Sequence, residues 1–374
     1  MTLIDSRARD AVRNLGTYQP GKPIEEVKRT LKLSSVIKLA SNENALGPSP
    51  KAIAALRKAT GALHRYPDAT CGELRAKLAK KLRVDPASLI VGNGSDELIV
   101  LALRAFVDPG EEVVVAQPTF LIYELQARAC GASVNVVPLR NYRYDLAAMK
   151  AAITPHTKLV FIANPDNPTG TYVSKRELEA FLGGLPAETI VFIDEAYYEF
   201  VDAADYPQTL RYVEDRPIIV TRSFSKAYGL AGLRVGYGVA QPSLIAAMNA
   251  VREPFNVNSL AQAAAAAALD DRAFLTRTRR LVKEGRRYLT NALERLHLRY
   301  VPSVTNFLLI ELGPRANEIA RALLTRGVIV REMSGWKLSG CIRVTIGTMA
   351  ENRRFVQALK SALGSSEVIV RRIS

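Results

Sequence analysis

SFSKAYGLAGLRVGYG, residues 223–238, is the stretch from which the fold and the chemistry of this chain are best predicted. It follows residues 218–221, an apolar β-branched run that predicts a buried strand. Lys226 stands at the exit of that strand, where the loss of water disfavours its ammonium form. More of the side chain is then the free amine, which is the form that condenses with an aldehyde.

The same stretch carries groups that suit a phosphate. Ser223 and Ser225 supply hydroxyl donors, and Arg234 supplies positive charge. The glycines among them let the backbone turn sharply or approach a ligand closely. A reactive amine beside a phosphate site fits an aldehyde cofactor that carries a phosphate, which is pyridoxal phosphate. A solvated surface lysine next to a glycine-rich turn is the alternative that this motif alone leaves open.

The composition is that of an ordinary globular protein. The 374 residues are 48% hydrophobic and 23% charged, which allows a large core and predicts two domains. The net charge of +15 is spread along the predicted helices rather than concentrated in a basic block. Since no helix-turn-helix or zinc-finger pattern accompanies it, this charge argues against nucleic-acid binding and favours the attraction of phosphorylated small molecules.

Cysteines and histidines are few and far apart. Cys71, Cys130 and Cys341 form no C-x-x-C pair and no disulfide framework, which predicts a reducing cytosol. The histidines are equally dispersed, so we expect no metal site. The N-terminus has charges where a signal peptide needs an apolar core, and no run is long enough to span a membrane. We therefore expect a cytoplasmic protein.

Strand-like runs alternate with helical patterns between residues 89 and 239. This alternation predicts βαβ units and a mainly parallel sheet with helices on both faces. The predicted strands are residues 89–91, 112–116, 133–138, 158–163, 189–193, 217–221 and 234–239. Seven strands suit one large α/β domain.

After residue 239 the pattern changes to the mixture of helices and short strands expected of a smaller α+β domain. The predicted elements there are a basic helix at 283–298, helices at 315–325 and 350–362, and strands at 306–312, 327–333 and 341–346. We therefore predict an N-terminal arm at 1–45, a large cofactor-binding domain at 46–250, and a small domain at 251–374 that begins with a linking helix.

Loops that leave the carboxyl ends of the predicted strands hold the other polar candidates, and this edge is where open α/β sheets bind ligands. Gly94, Ser95 and Asp96 open a helix, where a cap residue and free amides suit a phosphate. Residues 164–170, NPDNPTG, form a rigid turn that holds Asn167, whose amide can donate to a phenolate-like oxygen. A plain capped turn is the alternative for the first loop.

Asp194 ends an apolar strand, where an unpaired carboxylate is unfavourable. A protonated pyridinium nitrogen is a cation that would pair with it, and a protonated nitrogen makes the ring an electron sink for a carbanion. Tyr197 follows in the same loop and can hydrogen-bond the ring oxygen beside the aldehyde. The alternative for Asp194 is a helix cap at the strand end. With Lys226, these groups form one set at one edge of one sheet.

The chain resembles the fold-type I pyridoxal-phosphate aminotransferases and, within that family, the histidinol-phosphate aminotransferase subgroup. The motifs that carry the resemblance are LASNENALGPSP (39–50), HRYPD (64–68), VGNGSDE (91–97), QPTFLIY (117–123), NPDNPTG (164–170), FIDEAY (192–197), SFSKAYGLAGLRVGYG (223–238), PFNVN (254–258) and SGCIRVTIGT (339–348). The resemblance implies a ping-pong transaminase of histidine biosynthesis that uses 2-oxoglutarate and glutamate. It also implies a homodimer with shared sites, in which Tyr66 reaches the cofactor phosphate of the neighbouring subunit.

The resemblance further implies roles for the cofactor residues. Lys226 would be the lysine that forms the Schiff base, and Asp194 would face the pyridine nitrogen. Asn167 and Tyr197 would contact the ring hydroxyl, and Tyr123 would stack on the ring. The residues that would hold the phosphate are Gly94, Ser95, Ser223, Ser225 and Arg234, and Asp96 is a further predicted cofactor-binding residue.

Substrate contacts are implied in the small domain and in the N-terminal arm. Arg343 would face the polar end or carboxylate of the substrate, since a bidentate guanidinium suits 2-oxoglutarate or glutamate. Arg331 would contact a substrate phosphate, with a surface ion pair as the alternative. Asn306 and Tyr18 are further candidates. Trp336 departs from the subgroup pattern, and it either favours aromatic amino acids over histidinol phosphate or packs within a lid.

Other functions remain open at this point. An aromatic amino-acid aminotransferase and a decarboxylase of a phosphorylated amino acid share the same cofactor chemistry. A transcription regulator with an aminotransferase-like domain would need a DNA-binding domain before Ala45, where the arm is too short for one. A nicotinamide oxidoreductase is disfavoured because the G-x-G at residues 92–94 lacks the third glycine of the dinucleotide fingerprint.

Overall fold

The structure, a computed structural model, describes residues 7–13, 15–16 and 21–370, with side chains as far as residue 364. The N-terminal elements are α1 (Asp10–Arg13), α2 (Ile24–Leu31), β1 (Ile37–Lys38), α3 (Pro50–Ala59) and α4 (Gly72–Leu82). The α/β region comprises β2 (Leu89–Gly92), α5 (Ser95–Phe106), β3 (Glu112–Gln117), α6 (Ile122–Cys130), β4 (Ser133–Pro138), α7 (Leu146–Ala151), β5 (Thr157–Ala163), α8 (Lys175–Leu182), β6 (Ile190–Asp194), β7 (Ile218–Ser223), β8 (Gly236–Val239) and α9 (Pro242–Ala250). The C-terminal elements are α10 (Ser259–Leu269), α11 (Arg272–Arg295), β9 (Arg299–Val301), β10 (Phe307–Glu311), α12 (Ala316–Thr325), β11 (Val328–Ile329), β12 (Arg331–Glu332), β13 (Cys341–Thr345) and α13 (Met349–Val370).

The central sheet has the strand order β2-β8-β7-β6-β5-β3-β4 within the described part of the chain. Its strands run parallel except for β8, which is antiparallel to both β2 and β7. The predicted α/β class, with a mainly parallel seven-stranded sheet covered by helices, is therefore confirmed. Each of the predicted strands overlaps an observed strand of this sheet.

Alternate residues of the central strands face opposite sides of the sheet, so each side has its own apolar core. In β6, Val191 and Ile193 join the cluster that includes Leu78, whereas Phe192 joins the cluster that includes Leu98. Burial on both faces explains why the predicted strands are continuous apolar runs rather than alternating ones.

The smaller sheet has the order β12-β13-β10-β9 and is antiparallel. Its core packs against α11, α12 and α13, and the same apolar cluster includes Tyr197 and Ala227 from loops of the central sheet. This shared cluster fixes the smaller sheet against the carboxyl edge of the larger one. The predicted site therefore lies where the two packed regions meet.

Several C-terminal elements differ from the prediction. The basic helix predicted at 283–298 begins earlier, at Arg272, because the carboxylate of Asp271 accepts a hydrogen bond from the amide of Phe274 and caps it. The strand predicted at 327–333 is split, since β11 pairs with β1 and β12 pairs with β13. Helix α2 and strand β9 were not predicted. No helix in the described ranges is long and apolar enough to cross a bilayer.

Candidate active site

A cavity of about 230 Å³ opens at the carboxyl edge of the central sheet, where the segments after β2, β3, β5, β6 and β7 converge. This is the edge that the strand pattern predicts for ligand binding. The predicted cofactor residues that line the cavity are Ser95, Asp96, Tyr123, Asn167, Asp194, Tyr197, Ser223, Ser225, Lys226 and Arg234. The structure thus brings together, in one site, residues that the sequence spreads over the ends of five strands.

Lys226 lies in the loop after β7, and its amine is shielded from water. Burial, together with the positive charges of Arg343 and Arg234, lowers the pKa of Lys226 to about 8. Its Nζ lies 5.8 Å from the centre of the Tyr197 ring. An appreciable fraction of this lysine is therefore the neutral amine near neutral pH, which is the nucleophilic form.

Asp194 ends β6 at the cavity and is only 6% exposed. Its Oδ2 accepts a hydrogen bond from the hydroxyl of Tyr123 at 2.7 Å, and its Oδ1 accepts one from the amide of Ala196 at 3.0 Å. Burial raises the pKa of Asp194 to about 6, although the bond from Tyr123 opposes the rise. A carboxylate shielded in this way and open to a cavity fits a cationic ring nitrogen.

The N-terminus of α5 faces the cavity and offers a site for an anion. Gly94 precedes this helix with a φ of +82°, and a Cβ at this position would lie 2.7 Å from Nη2 of Arg234. Arg234 donates to Ser225 Oγ at 3.4 Å and forms an ion pair with Asp96 at 3.2 Å. Helix amides, a hydroxyl and a guanidinium around one space are the groups that bind phosphate. The residues present therefore fit the phosphate of pyridoxal phosphate.

Asn42 is a site residue that the sequence prediction did not single out. Its Nδ2 donates a hydrogen bond to the hydroxyl of Tyr197 at 2.9 Å, which orients the Tyr197 side chain beside the cavity. A similar contact orients Asn167, whose Oδ1 accepts a hydrogen bond from Arg343. The amide nitrogen of Asn167 is then directed away from the arginine. The available signal for Asn42 was its place in the LASNEN motif.

Tyr123 was predicted to stack on the cofactor ring. In the structure its own ring is parallel to that of Phe161, with centroids 5.0 Å apart and an angle of 11°. Its hydroxyl donates a hydrogen bond to Asp194, so Tyr123 helps to hold that carboxylate in place. Phe120 also lines the cavity and contacts Tyr123 edge to face at 5.6 Å. Phe120 is thus a second aromatic candidate for the cofactor ring, and the stacking role of Tyr123 stays a prediction.

Asp166 is a buried acid that the motif analysis passed over. Its Oδ1 accepts a hydrogen bond from Thr119 at 2.6 Å, and its Oδ2 accepts one from Thr169 at 2.8 Å. Burial raises the pKa of Asp166 to about 6. Because Thr119 precedes Phe120 and Asp166 precedes Asn167, these bonds join two loops that line the cavity. The available signal was a charged residue inside the otherwise uncharged turn NPDNPTG.

The predicted substrate residues are placed differently from one another. Arg343 and Arg331 lie opposite each other on β13 and β12, and Arg343 reaches the cavity through its bond to Asn167. Asn306 is buried, and its Nδ2 donates to the backbone oxygen of Asn42 at 3.0 Å. This contact positions the Asn42 segment, and a substrate contact for Asn306 stays a prediction.

Tyr66, a predicted cofactor contact, is not found in the cavity of this chain. Tyr66 is 83% exposed and stacks on Phe255, with ring centroids 4.7 Å apart. Its contact with the cofactor of a neighbouring subunit stays a prediction. Tyr18 lies outside the described residues. Within the described residues, no group of His, Cys, Asp and Glu side chains is arranged to hold a metal ion.

The fold, the buried amine and acid, and the phosphate site together define a transaminase. The family model for aminotransferase class I and II matches residues 34–359, and the chain belongs to this family. The prediction of a pyridoxal-phosphate-dependent transaminase is thereby confirmed.

Several relatives of this chain share one name. A histidinol-phosphate aminotransferase of Moorella thermoacetica is 49% identical over 359 residues, which cover 96% of this chain and 93% of that protein. Histidinol-phosphate aminotransferase 1 of Nitrosococcus oceani is 46% identical over 363 residues, which cover 97% and 98%. The crystal structure of histidinol-phosphate aminotransferase from Sinorhizobium meliloti in complex with pyridoxal-5'-phosphate has a TM-score of 0.88 and 30% identity, covering 97% of this chain and 99% of that one.

Proposed function

We propose that this enzyme transfers the amino group of histidinol phosphate to 2-oxoglutarate, as a step of histidine biosynthesis. The observation that carries the proposal is a pair of arginines, Arg343 and Arg331, on neighbouring strands beside the cavity that holds Lys226 and Asp194. The amine and the acid suit transamination, and two guanidiniums suit a donor whose far end is a phosphate. The names of the relatives support the same donor.

Pyridoxal phosphate, when bound, supplies an aldehyde that accepts the amino group and a ring that stabilises negative charge on the substrate carbon. Asp194 would hold the ring nitrogen, and its shielded carboxylate would keep a proton there. The first amides of α5, with Ser225 and Arg234, would hold the phosphate. Tyr197 and Asn167 would hold the ring oxygen.

Lys226 is the group that would move the proton. Because its pKa is about 8, its Nζ can take a proton from the α-carbon of the substrate and give it up again near neutral pH. Arg343 would bind the carboxylate of 2-oxoglutarate in the return half of the reaction, since a guanidinium binds a carboxylate through two parallel hydrogen bonds. Its bond to Asn167 keeps that guanidinium next to the cavity.

An aromatic amino acid is the second candidate donor. Trp336 favours it, because its ring centre lies 5.9 Å from the guanidinium carbon of Arg343 and so offers an aromatic surface near the substrate. However, Trp336 is only 3% exposed, so little of that surface is open to a second ring. The phosphate donor is therefore the better fit.

Steady-state kinetics with 2-oxoglutarate as the acceptor tests the donor. The holoenzyme is assayed with histidinol phosphate, phenylalanine and threonine phosphate in parallel. We expect kcat/KM for histidinol phosphate to exceed that for phenylalanine by about 100-fold or more, because phenylalanine has no phosphate to bond with the guanidinium groups of Arg343 and Arg331. A higher kcat/KM for phenylalanine would overturn the proposed donor, and release of carbon dioxide from threonine phosphate would indicate a decarboxylase.

A lysine variant tests the cofactor chemistry itself. We expect Lys226→Ala to lower turnover by at least about 1000-fold and to abolish the absorbance band of the lysine-linked cofactor. Lys81→Ala is the matched control, because burial also lowers the pKa of Lys81 but this lysine lines a different cavity. Full activity in Lys226→Ala would contradict the assignment.

The proposed assembly is a homodimer with shared sites. Tyr66 and Phe255 form an exposed stacked pair, and Leu63, three residues before Tyr66 in the chain, is 59% exposed. Such a surface is unfavourable in water and suits an interface between two copies of the chain. Light scattering should give the mass of a dimer. Co-refolding inactive Tyr66→Ala with inactive Lys226→Ala should restore about a quarter of the parent activity, since half of the dimers are mixed and each has one intact site.

We also propose a cytoplasmic location. Cys71, Cys130 and Cys341 are free thiols in the structure, as expected of a protein kept in a reducing compartment. Fractionation of the native cells tests this, with recovery of the activity outside the soluble cytoplasmic fraction as the contrary result.

A further inference from the structure

Arg331 and Arg343 occupy directly opposite positions on β12 and β13, with their Cα atoms paired across the antiparallel ladder. Opposite residues of such a pair project from the same face of the sheet, so the two guanidinium groups share one side. Like charges in this arrangement repel each other, and the repulsion is weakly screened because Arg343 is only 5% exposed. Negative potential from neighbouring groups therefore stabilises the pair, and the oxygens of Asn167 and Ala40 supply it to Arg343.

Trp336 supplies that potential to both arginines. The guanidinium carbon of Arg331 lies 4.9 Å from the centre of the Trp336 ring, and that of Arg343 lies 5.9 Å from it. Both distances are within the range of a cation–π interaction, for which tryptophan is the best of the aromatic side chains. One indole thus contacts both guanidinium groups of the pair.

The position of Trp336 is fixed by its surroundings. It ends the short 3-10 helix Ser334–Trp336, and its amide donates to the backbone oxygen of Met333 at 2.9 Å. The next residue, Lys337, donates through Nζ to Gln117 Oε1 at 2.9 Å, which ties this segment to the end of β3. The indole is therefore held relative to the cavity as well as relative to the arginines.

We propose that Trp336 is the residue that determines specificity for a phosphorylated donor, because it holds Arg331 and Arg343 together as one anion site. It is a positioning residue that acts through the two arginines. The guanidinium of Arg343 also bonds to Asn167 and to the backbone oxygen of Ala40, so we expect loss of the indole to displace Arg331 more than Arg343. The inference rests on the proposed function for its substrate, and it assigns the preference to a residue that acts through the two arginines.

Kinetics with a matched pair of donors test the role of the indole. Histidinol and histidinol phosphate differ only in the phosphate, so the ratio of their kcat/KM values reports the anion site. We expect Trp336→Leu to lower this ratio about tenfold, through a higher KM for histidinol phosphate, and to leave kcat and the values for histidinol within about twofold. Trp336→Phe should fall between the parent and Trp336→Leu, since phenylalanine is the weaker cation–π partner.

Leu338→Ala is the control. Leu338 packs against the apolar cluster that contains Trp336, so this substitution removes packing and keeps the indole. It should keep the parent ratio. An unchanged ratio in Trp336→Leu, or an equal loss for both donors, would overturn the inference, because the indole would then have no role or only a structural one.

Fluorescence keeps the inference testable if histidinol phosphate proves not to be the donor. Trp336 is the one tryptophan of the chain, so the indole emission of the holoenzyme reports this place alone. We expect inorganic phosphate to change the emission in a saturable way, and Arg331→Met to weaken the apparent affinity about tenfold. No saturable change, or equal affinity in Arg331→Met, would overturn the inference. Absence of turnover with histidinol phosphate would instead overturn the proposed function.

Discussion

Tyr123 and Asp194 are joined by a hydrogen bond of 2.7 Å from the phenolic hydroxyl to Oδ2, and both side chains are almost fully buried. The bond favours the ionised carboxylate, while burial favours the protonated acid and raises the pKa of Asp194 to about 6. Tyr123 thus helps to keep Asp194 charged at neutral pH. A charged Asp194 is what a protonated ring nitrogen requires.

Tyr123→Phe removes this donor and keeps the ring that packs on Phe161. Because the lost bond favours the ionised form, the pKa of Asp194 rises further above its ordinary range, and less of it is charged at a given acidic pH. The affinity for pyridoxal phosphate should fall at low pH as Asp194 is protonated. We expect the pH at which this acid limb begins to rise by about one unit or less, with affinity near pH 8 little changed. Titration of the apoenzyme with pyridoxal phosphate at several pH values measures this.

The control for that titration is Tyr172→Phe, which removes a hydroxyl that donates to Asp205 at the surface. Its acid limb should coincide with that of the parent. An acid limb in Tyr123→Phe that coincides with both would show that the bond to Asp194 does not control the charge of the acid.

Gly236 lies against the first turn of α5. A Cβ at this position would be 2.5 Å from the amide nitrogen of Ser95, which is backbone and cannot move without displacing the helix start. We expect Gly236→Ala to weaken binding of pyridoxal phosphate about tenfold or more and to lower the free energy of unfolding by about 1–3 kcal/mol. Gly232→Ala, in the same stretch, meets nothing within 4 Å and should leave both quantities near the parent values. Equal effects in the two variants would contradict this account.

Much of the site could be predicted because its residues directly follow apolar strands in the sequence. Lys226 and Asp194 each follow an apolar run, and the carboxyl ends of parallel strands meet at one edge of the sheet. The strand pattern therefore brings the two residues together without any knowledge of the packing. The sheet itself could be predicted for the same reason, since each strand is buried on both faces and is marked by a continuous apolar run.

The other site residues depend on contacts between distant parts of the chain, which a local sequence pattern does not define. Asn42 and Tyr197 are 155 residues apart, and their bond exists only because two packed regions meet at the cavity.

The directions of the two aromatic rings in QPTFLIY could not be predicted for a different reason. Phe120 lies in the loop and Tyr123 in the first turn of α6, so the direction of each ring depends on where the helix begins. A shift of one or two residues at a helix end is beyond the resolution of a sequence pattern.

Arg222 and Glu195 form a buried ion pair behind the cavity, with Nε and Oε2 2.8 Å apart and side chains that are 7% and 0% exposed. They adjoin Ser223 and Asp194 in the chain, so the pair supports two loops of the site. Arg222→Met leaves a buried carboxylate without its cation, and we expect it to lower the free energy of unfolding by about 3–5 kcal/mol. Urea denaturation of the apoenzyme measures the change.

The matched control is Arg143→Met, which breaks an ion pair with Glu177 whose side chains are 44% and 48% exposed. Solvent screens that pair, so its loss should lower the free energy of unfolding by about 1 kcal/mol or less. If Arg222→Met and Arg143→Met were equally mild, the buried pair would not be what holds these loops together.

Lys226 should make the apoenzyme less stable than it would be without the charge. Burial lowers its pKa from 10.5 to about 8, so the unfolded chain binds the proton more tightly than the folded one. The resulting loss of stability, about 3 kcal/mol, is fully present below pH 8 and disappears as the pH rises towards 10.5. We expect Lys226→Met to raise the free energy of unfolding of the apoenzyme by up to about 3 kcal/mol near pH 7, with the gain shrinking near pH 10.

Lys58→Met, on the exposed side of α3, should show no such difference between the two pH values. The comparison separates charge from packing, because methionine adds an apolar side chain at either pH. A gain in Lys226→Met that is equal near pH 7 and near pH 10 would assign the effect to packing and would remove the physical reason for a reactive amine at this position. A gain confined to the lower pH would show that the fold gives up stability to keep Lys226 partly neutral, which is the property that transamination uses.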